Sequence, residues 1–137
     1  MKEIRLRAVV ENIPKVMEFI DAELEALGCP MKAGMQIDVA IDELFGNIAH
    51  YAYASGTGEA TVRFGYDEAS QTASITFIDS GVPYNPLEKE DPDVTAPAEK
   101  RGIGGLGIFL VKKTMDAMRY ERRDGQNWLT IEKRIGR

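Results

Sequence analysis

The stretch Arg101-Gly-Ile-Gly-Gly-Leu-Gly-Ile-Phe-Leu-Val111 decides the fold by what stands on either side of it. Gly102, Gly104 and Gly107 spell Gly-x-Gly-x-x-Gly, the turn that brings a pyrophosphate against a helix N-terminus, and Glu121 follows where an acidic partner for a ribose would stand. That fingerprint requires a strand directly before the glycines, inside a βαβ unit. Here they follow Asp79 to Lys100, a stretch containing Pro83, Pro86, Pro92 and Pro97 among many charges, which reads as a long loop. The string also lacks the Gly-Lys-Ser/Thr ending of a Walker A loop. What remains is a glycine-rich entry to a helix, where bare N–H groups and the positive helix end favour phosphate. The same glycines could instead serve a hinge or close helix packing, a reading second to phosphate contact.

Downstream, Ile108, Val111, Met115 and Met118 space a helix, and Arg119–Arg123 and Trp128–Ile135 read as strands meeting across Asp124-Gly125. Upstream, Thr61–Tyr66 and Ser74–Ile78 read as an antiparallel pair joined around Asp67 to Gln71, preceded by a turn at Ala54-Ser-Gly-Thr-Gly58. Ile37, Ile41, Leu44, Phe45 and Ile48 recur at helical spacing within a segment from about Met31 to Tyr53. Before it, Asn12 and Pro14 open a helix that Gly28 and Pro30 close, and Ile4, Leu6, Ala8 and Val10 alternate as a strand. The order β, α, α, β, β, loop, α, β, β lacks regular βαβ alternation. It predicts an α+β two-layer sandwich: a mixed, mostly antiparallel sheet covered on one face by three helices. The 137 residues fit one domain, 1–137, with a lid loop over about 80–103.

A hydrophobic fraction of 44% beside 28% charged residues is that of a soluble globular protein, with no apolar run long enough to cross a bilayer. The net charge of −5 disfavours direct nucleic-acid binding, although Arg119, Arg122 and Arg123 could form a local basic face. Charges at Lys2, Glu3, Arg5 and Arg7 do not read as a secretory signal, so the expectation is a cytoplasmic protein. One cysteine, Cys29, and one histidine, His50, supply neither an internal disulfide nor a Cys/His zinc cluster.

Glu43 and Asn47 lie four apart on the long helix and project from one face. Their oxygens suit Mg²⁺, which takes one or two protein ligands and completes its shell with water and phosphate; Glu43 would orient or deprotonate an attacking hydroxyl. The spacing alone also fits a solvated helix face. Asp79 ends an apolar strand beside Ser80-Gly81, placed to accept a hydrogen bond from an adenine amino group or simply to close a turn. His50 and Trp128 sit among apolar neighbours and read as core or rim.

In this order, Glu43-x-x-x-Asn47, Asp79-x-Gly81 and Gly104-Gly-Leu-Gly107 resemble the motifs of the ATPase superfamily shared by gyrase, Hsp90, histidine kinases and MutL, whose ATP-binding fold is of the Bergerat type. The continuation Asn47-Ile-Ala-His-Tyr-Ala-Tyr53 and Gly104-Gly-Leu-Gly-Ile-Phe-Leu-Val111 look like the anti-sigma-factor serine kinases. The resemblance implies ATP and Mg²⁺ as cofactors, with Asn47 on the metal, Glu43 as general base, Asp79 on adenine and Gly81 shaping that pocket. It places Gly104, Gly105, Leu106 and Gly107 at the phosphates, Arg101 at the terminal phosphate, and Thr130 in the lining of the nucleotide pocket. It implies a kinase that phosphorylates an anti-sigma antagonist-type protein, binds a sigma factor and forms a homodimer, or else a nucleotide-gated partner switch without phosphoryl transfer. Two positions depart from the pattern: Pro83 replaces a second glycine, and Tyr51 replaces a histidine, with His50 one residue earlier.

Overall fold

The computed structural model describes residues 1–54, 58–88 and 105–136. Five strands form one sheet in the order β1-β2-β3-β5-β4: β1 (Lys2–Arg7), β2 (Glu59–Asp67), β3 (Thr72–Asp79), β4 (Ala117–Arg123) and β5 (Gln126–Arg134). Every neighbouring pair is antiparallel, so the expected mixed character is absent from the described strands. The helices α1 (Ile13–Ala26), α2 (Met31–Asn47) and α3 (Gly105–Thr114) form the second layer, with α2 packed against both others.

The helical stripes meet the inward face of the sheet. In α1 the buried residues are Ile13, Val16, Ile20 and Leu24, spaced by three or four. Pro14 starts the helix without wasting a hydrogen bond, and Gly28, at φ +70, ends it. In α2, Ile37, Ile41, Leu44 and Phe45 are essentially inaccessible to solvent, and they share one core cluster with Val62, Phe77 and Ile131 of the sheet. Alternation along most of β2, β3 and β5 sends every second side chain to this core, and β3 ends on three consecutive buried residues, Phe77, Ile78 and Asp79.

Three boundaries differ from the sequence reading. β1 stops at Arg7 because the chain turns there: Asn12 Nδ2 donates to the Arg7 carbonyl at 2.8 Å, and Val10–Asn12 form a 3₁₀ turn. α2 does not run on as an α-helix to Tyr53; after Asn47 it widens into a π-helical turn over Ile48–Ala52. α3 ends at Thr114, where Lys133 Nζ caps its last carbonyl at 2.6 Å, and Met118 belongs to β4 instead. The β4–β5 hairpin turns at Asp124 and Gly125, both at positive φ as a tight primed turn requires.

Candidate active site

β3 ends at Asp79 beside Asn127 of β5, its register partner. Each is only 5% exposed, and among the described residues no other polar side chain is so fully buried. A buried carboxylate and a buried amide are costly unless satisfied. Here they satisfy each other: Asn127 Nδ2 donates to Asp79 Oδ1 at 2.9 Å. The Gly81 amide donates to the same oxygen at 2.9 Å.

Asn127 also holds the chain that leaves β3. Its Nδ2 donates to the Val82 carbonyl at 2.8 Å, while its Oδ1 accepts from the Tyr84 amide at 3.3 Å and from the Tyr120 hydroxyl. Arg122 adds a 2.8 Å bond to the Gly81 carbonyl. On the other side, the Val82 amide donates to the Ala52 carbonyl in the π-helical turn at 2.9 Å. Gly81 is required sterically, because a Cβ there would fall inside 3 Å of the Ala52 carbonyl carbon and oxygen.

These groups border a cavity of about 130 Å³ between the helical layer and the sheet. Leu44, Ile48, Phe77 and Leu129 make it largely apolar, Asn47, Asp79 and Asn127 bring amide and carboxylate groups, and Tyr51, Tyr84 and Tyr120 also line it. Its volume is below the roughly 300–1,000 Å³ of sites that enclose a whole small molecule. It fits one flat apolar end of a ligand, with a hydrogen-bonding edge turned to Asp79.

Asn47 closes α2 at the cavity wall, and Glu43 lies one turn earlier. The Glu43 carboxylate rests against Gly107 in the first turn of α3, so closely that a Cβ at Gly107 would collide with it. The positive end of α3 favours that carboxylate. Gly105, Leu106 and Gly107 open α3, so their amides lack helical partners of their own. Arg101, Gly104 and most of the expected lid lie outside the described residues. Among the described residues no three His, Cys, Asp or Glu side chains converge into a protein cage for a metal. Asn47 fits the other way of holding Mg²⁺, a single amide oxygen supplemented by phosphate and water.

Thr130 is not in the pocket. It stands an odd number of residues from Asn127 along β5, so its side chain takes the opposite face, where its hydroxyl shares a 2.9 Å hydrogen bond with Thr76. The pocket position expected of Thr130 is occupied by Asn127. His50 is exposed in the π-helical turn. Trp128 lies on the outer face between the guanidiniums of Arg63 and Arg123, at 5.1 and 3.9 Å from its ring. The arginines proposed as a basic face are engaged: Arg119 pairs with Glu132, Arg123 with Glu121, and Arg122 with the Gly81 carbonyl. No helix among the described residues is long and apolar enough to cross a membrane.

The histidine kinase-like ATPase domain family matches the chain across residues 6–133. The chain is 28% identical over 95 residues to the serine/threonine-protein kinase BtrW of Bordetella bronchiseptica, covering 69% of this chain and 66% of that protein. It is 28% identical over 136 residues to the serine-protein kinase RsbW of Bacillus cereus, covering 91% of this chain and 84% of that one. Among solved structures, the RsbU and RsbW domains of Rv1364c from Mycobacterium tuberculosis superimpose with a TM-score of 0.64 at 14% identity. That match covers 100% of this chain and 33% of the mycobacterial one. The catalytic domain of histidine kinase ThkA gives 0.52 at 13% identity and 98% coverage of both chains. At such identities these structures speak for the fold alone, three helices on a five-stranded antiparallel sheet.

Proposed function

The chain belongs to the histidine kinase-like ATPase domain family, and from that premise we propose that it is an ATP-binding serine kinase acting on an anti-sigma antagonist-type protein, with a sigma factor as its second partner. The observation that carries the reading is the pairing of Asp79 with Asn127 at the polar edge of an otherwise apolar slot. The likeness to RsbW and BtrW supplies the serine kinase class.

In this reading the adenine ring fills the slot and its amino group donates to Asp79. Asn47 lends its amide oxygen to Mg²⁺, which neutralises phosphate charge. The opening amides of α3, from Gly105, Leu106 and Gly107, hold phosphate oxygens, with Arg101 and Gly104 contributing from the preceding segment. The serine oxygen of the protein substrate attacks the terminal phosphorus, Glu43 takes its proton, and the bond to the bridging oxygen breaks to release ADP. Glu43 suits that role because it lies against the N-terminal turn of α3, one helical turn from Asn47.

Calorimetric titration with Mg·ATP tests the binding half, with one-to-one binding expected. Asn47→Ala should abolish Mg·ATP affinity, and Glu43→Ala should retain it while losing phosphoryl transfer to serine-bearing antagonist domains. Unchanged affinity in Asn47→Ala refutes the metal assignment. Binding by the wild type without transfer to any such domain leaves the nucleotide-gated partner switch as the function, and absence of binding at millimolar nucleotide removes both.

A further inference from the structure

We propose that Asn127 is a specificity-determining residue: by occupying one oxygen of Asp79 it restricts the carboxylate to reading a single donor, and so selects an adenine over a guanine nucleotide. The inference rests on the ATP-binding reading above and concerns how the same pocket chooses its base.

A carboxylate has two oxygens and accepts readily from two adjacent donors. Guanine offers such a pair, its ring N1–H and exocyclic N2–H₂, whereas the corresponding edge of adenine offers one exocyclic amino group beside an acceptor nitrogen. An unencumbered buried aspartate would therefore suit guanine well. Asp79 is encumbered. Its Oδ1 already receives the Asn127 amide and the Gly81 backbone N–H, both at 2.9 Å. Among the described residues no hydrogen bond falls on Oδ2, which is left for one ligand donor.

The orientation of Asn127 follows from its surroundings. Oδ1 of Asn127 accepts from the Tyr120 hydroxyl and from the Tyr84 amide, while its two N–H groups reach Asp79 and the Val82 carbonyl. Turning the amide over would set two donors against the Tyr84 N–H and bring an oxygen against the carboxylate. The network thus fixes which end faces Asp79. With both protons and its carbonyl engaged, Asn127 contributes through Asp79 and not through a bond of its own to the base.

The test compares affinities for Mg·ATP and Mg·GTP, measured by calorimetry on the wild type, Asn127→Ala and Tyr120→Phe, with circular dichroism to establish that each is folded. The wild type should prefer ATP. In Asn127→Ala, Oδ1 keeps only the Gly81 donor, so ATP affinity should fall while GTP affinity holds or rises. The ATP-to-GTP ratio should shrink by about tenfold or more, the scale of one hydrogen bond to a charged group. Tyr120→Phe keeps the ring but removes one restraint on the amide, and should shift the ratio in the same direction by less. It decides the matter if Asn127→Ala does not fold. A residue that only supports the fold would lower both affinities in parallel, so an unchanged ratio in a folded variant overturns the proposal while leaving ATP binding intact. Equal affinities in the wild type also overturn it. A wild type that binds neither nucleotide overturns the underlying reading instead.

Discussion

Gly81→Ala isolates the contact between the segment leaving β3 and the π-helical turn. Gly81 is not among the positive-φ glycines, so alanine meets no backbone penalty there. The added methyl, however, falls inside 3 Å of the Ala52 carbonyl oxygen, carbonyl carbon and Cβ, two of which are backbone and cannot rotate away. Relief requires moving residues 81–84, which breaks the 2.9 Å Val82–Ala52 bond, or displacing the π-helical turn. Overpacking of this kind costs about 1–3 kcal/mol, and the lost hydrogen bond about 1 kcal/mol more. At roughly 3–4 °C per kcal/mol for a chain of this size, the melting temperature should fall by about 6–16 °C. The Gly81 amide is also one of the two donors on Asp79, so Mg·ATP affinity should fall with it. Differential scanning calorimetry and nucleotide titration read the two effects separately. A variant with wild-type melting temperature and wild-type affinity would refute the argument that this close approach shapes the pocket.

Two further predictions concern positions away from the pocket. Asp38 of α2 has its carboxyl pushed up to about 7 by burial first, and then by a hydrogen bond and charge repulsion from Asp21 on α1. Its folded value is raised above the ordinary carboxylate range near 4, so the folded state binds the extra proton and stability should decline as pH rises from about 4 to 7. Asp38→Asn should flatten that slope in urea melts at several pH values, by no more than about 1 kcal/mol because the site is partly solvated. Gly34 lies in α2 without a positive φ, and a methyl placed on it would have nothing within 4 Å. Gly34→Ala should therefore raise stability by roughly 0.5–1 kcal/mol in the same melts.

Much of the fold was legible because periodicity and burial coincide. The stripes of α1 and α2 and the alternation of β2, β3 and β5 are the faces that meet in the core. The end of α3 was not legible: Met115 and Met118 continue the helical spacing of Ile108 and Val111, although Met118 reaches the interior from a strand. The π-helical turn left no signal, since one residue more per turn hardly alters an apolar pattern as short as Ile48 to Ala52. Asp79 could be placed from its position at a strand end. Asn127 could not be matched to it, because pairing between residues 48 apart in sequence depends on sheet register. A local clue did exist. Leu129 and Ile131 alternate toward the core, which puts Asn127 on their face and Thr130 on the other, but the adjacent apolar pair Trp128-Leu129 obscures that parity.

The π-helical turn makes one short piece of the chain sensitive to residue count more than to residue identity. A π turn corresponds to a helix carrying one extra residue. Glu43 and Asn47 precede that residue, and the Ala52 carbonyl that receives Val82 follows it. The exposed side chain of His50 leaves room for many substitutions, while Tyr51, also exposed, lines the cavity. Deleting either would rotate Ala52 by about 100° relative to Asn47, uncoupling the end of α2 from the loop that follows β3. Between these two halves of the pocket, the number of residues in the π-helical turn sets the alignment.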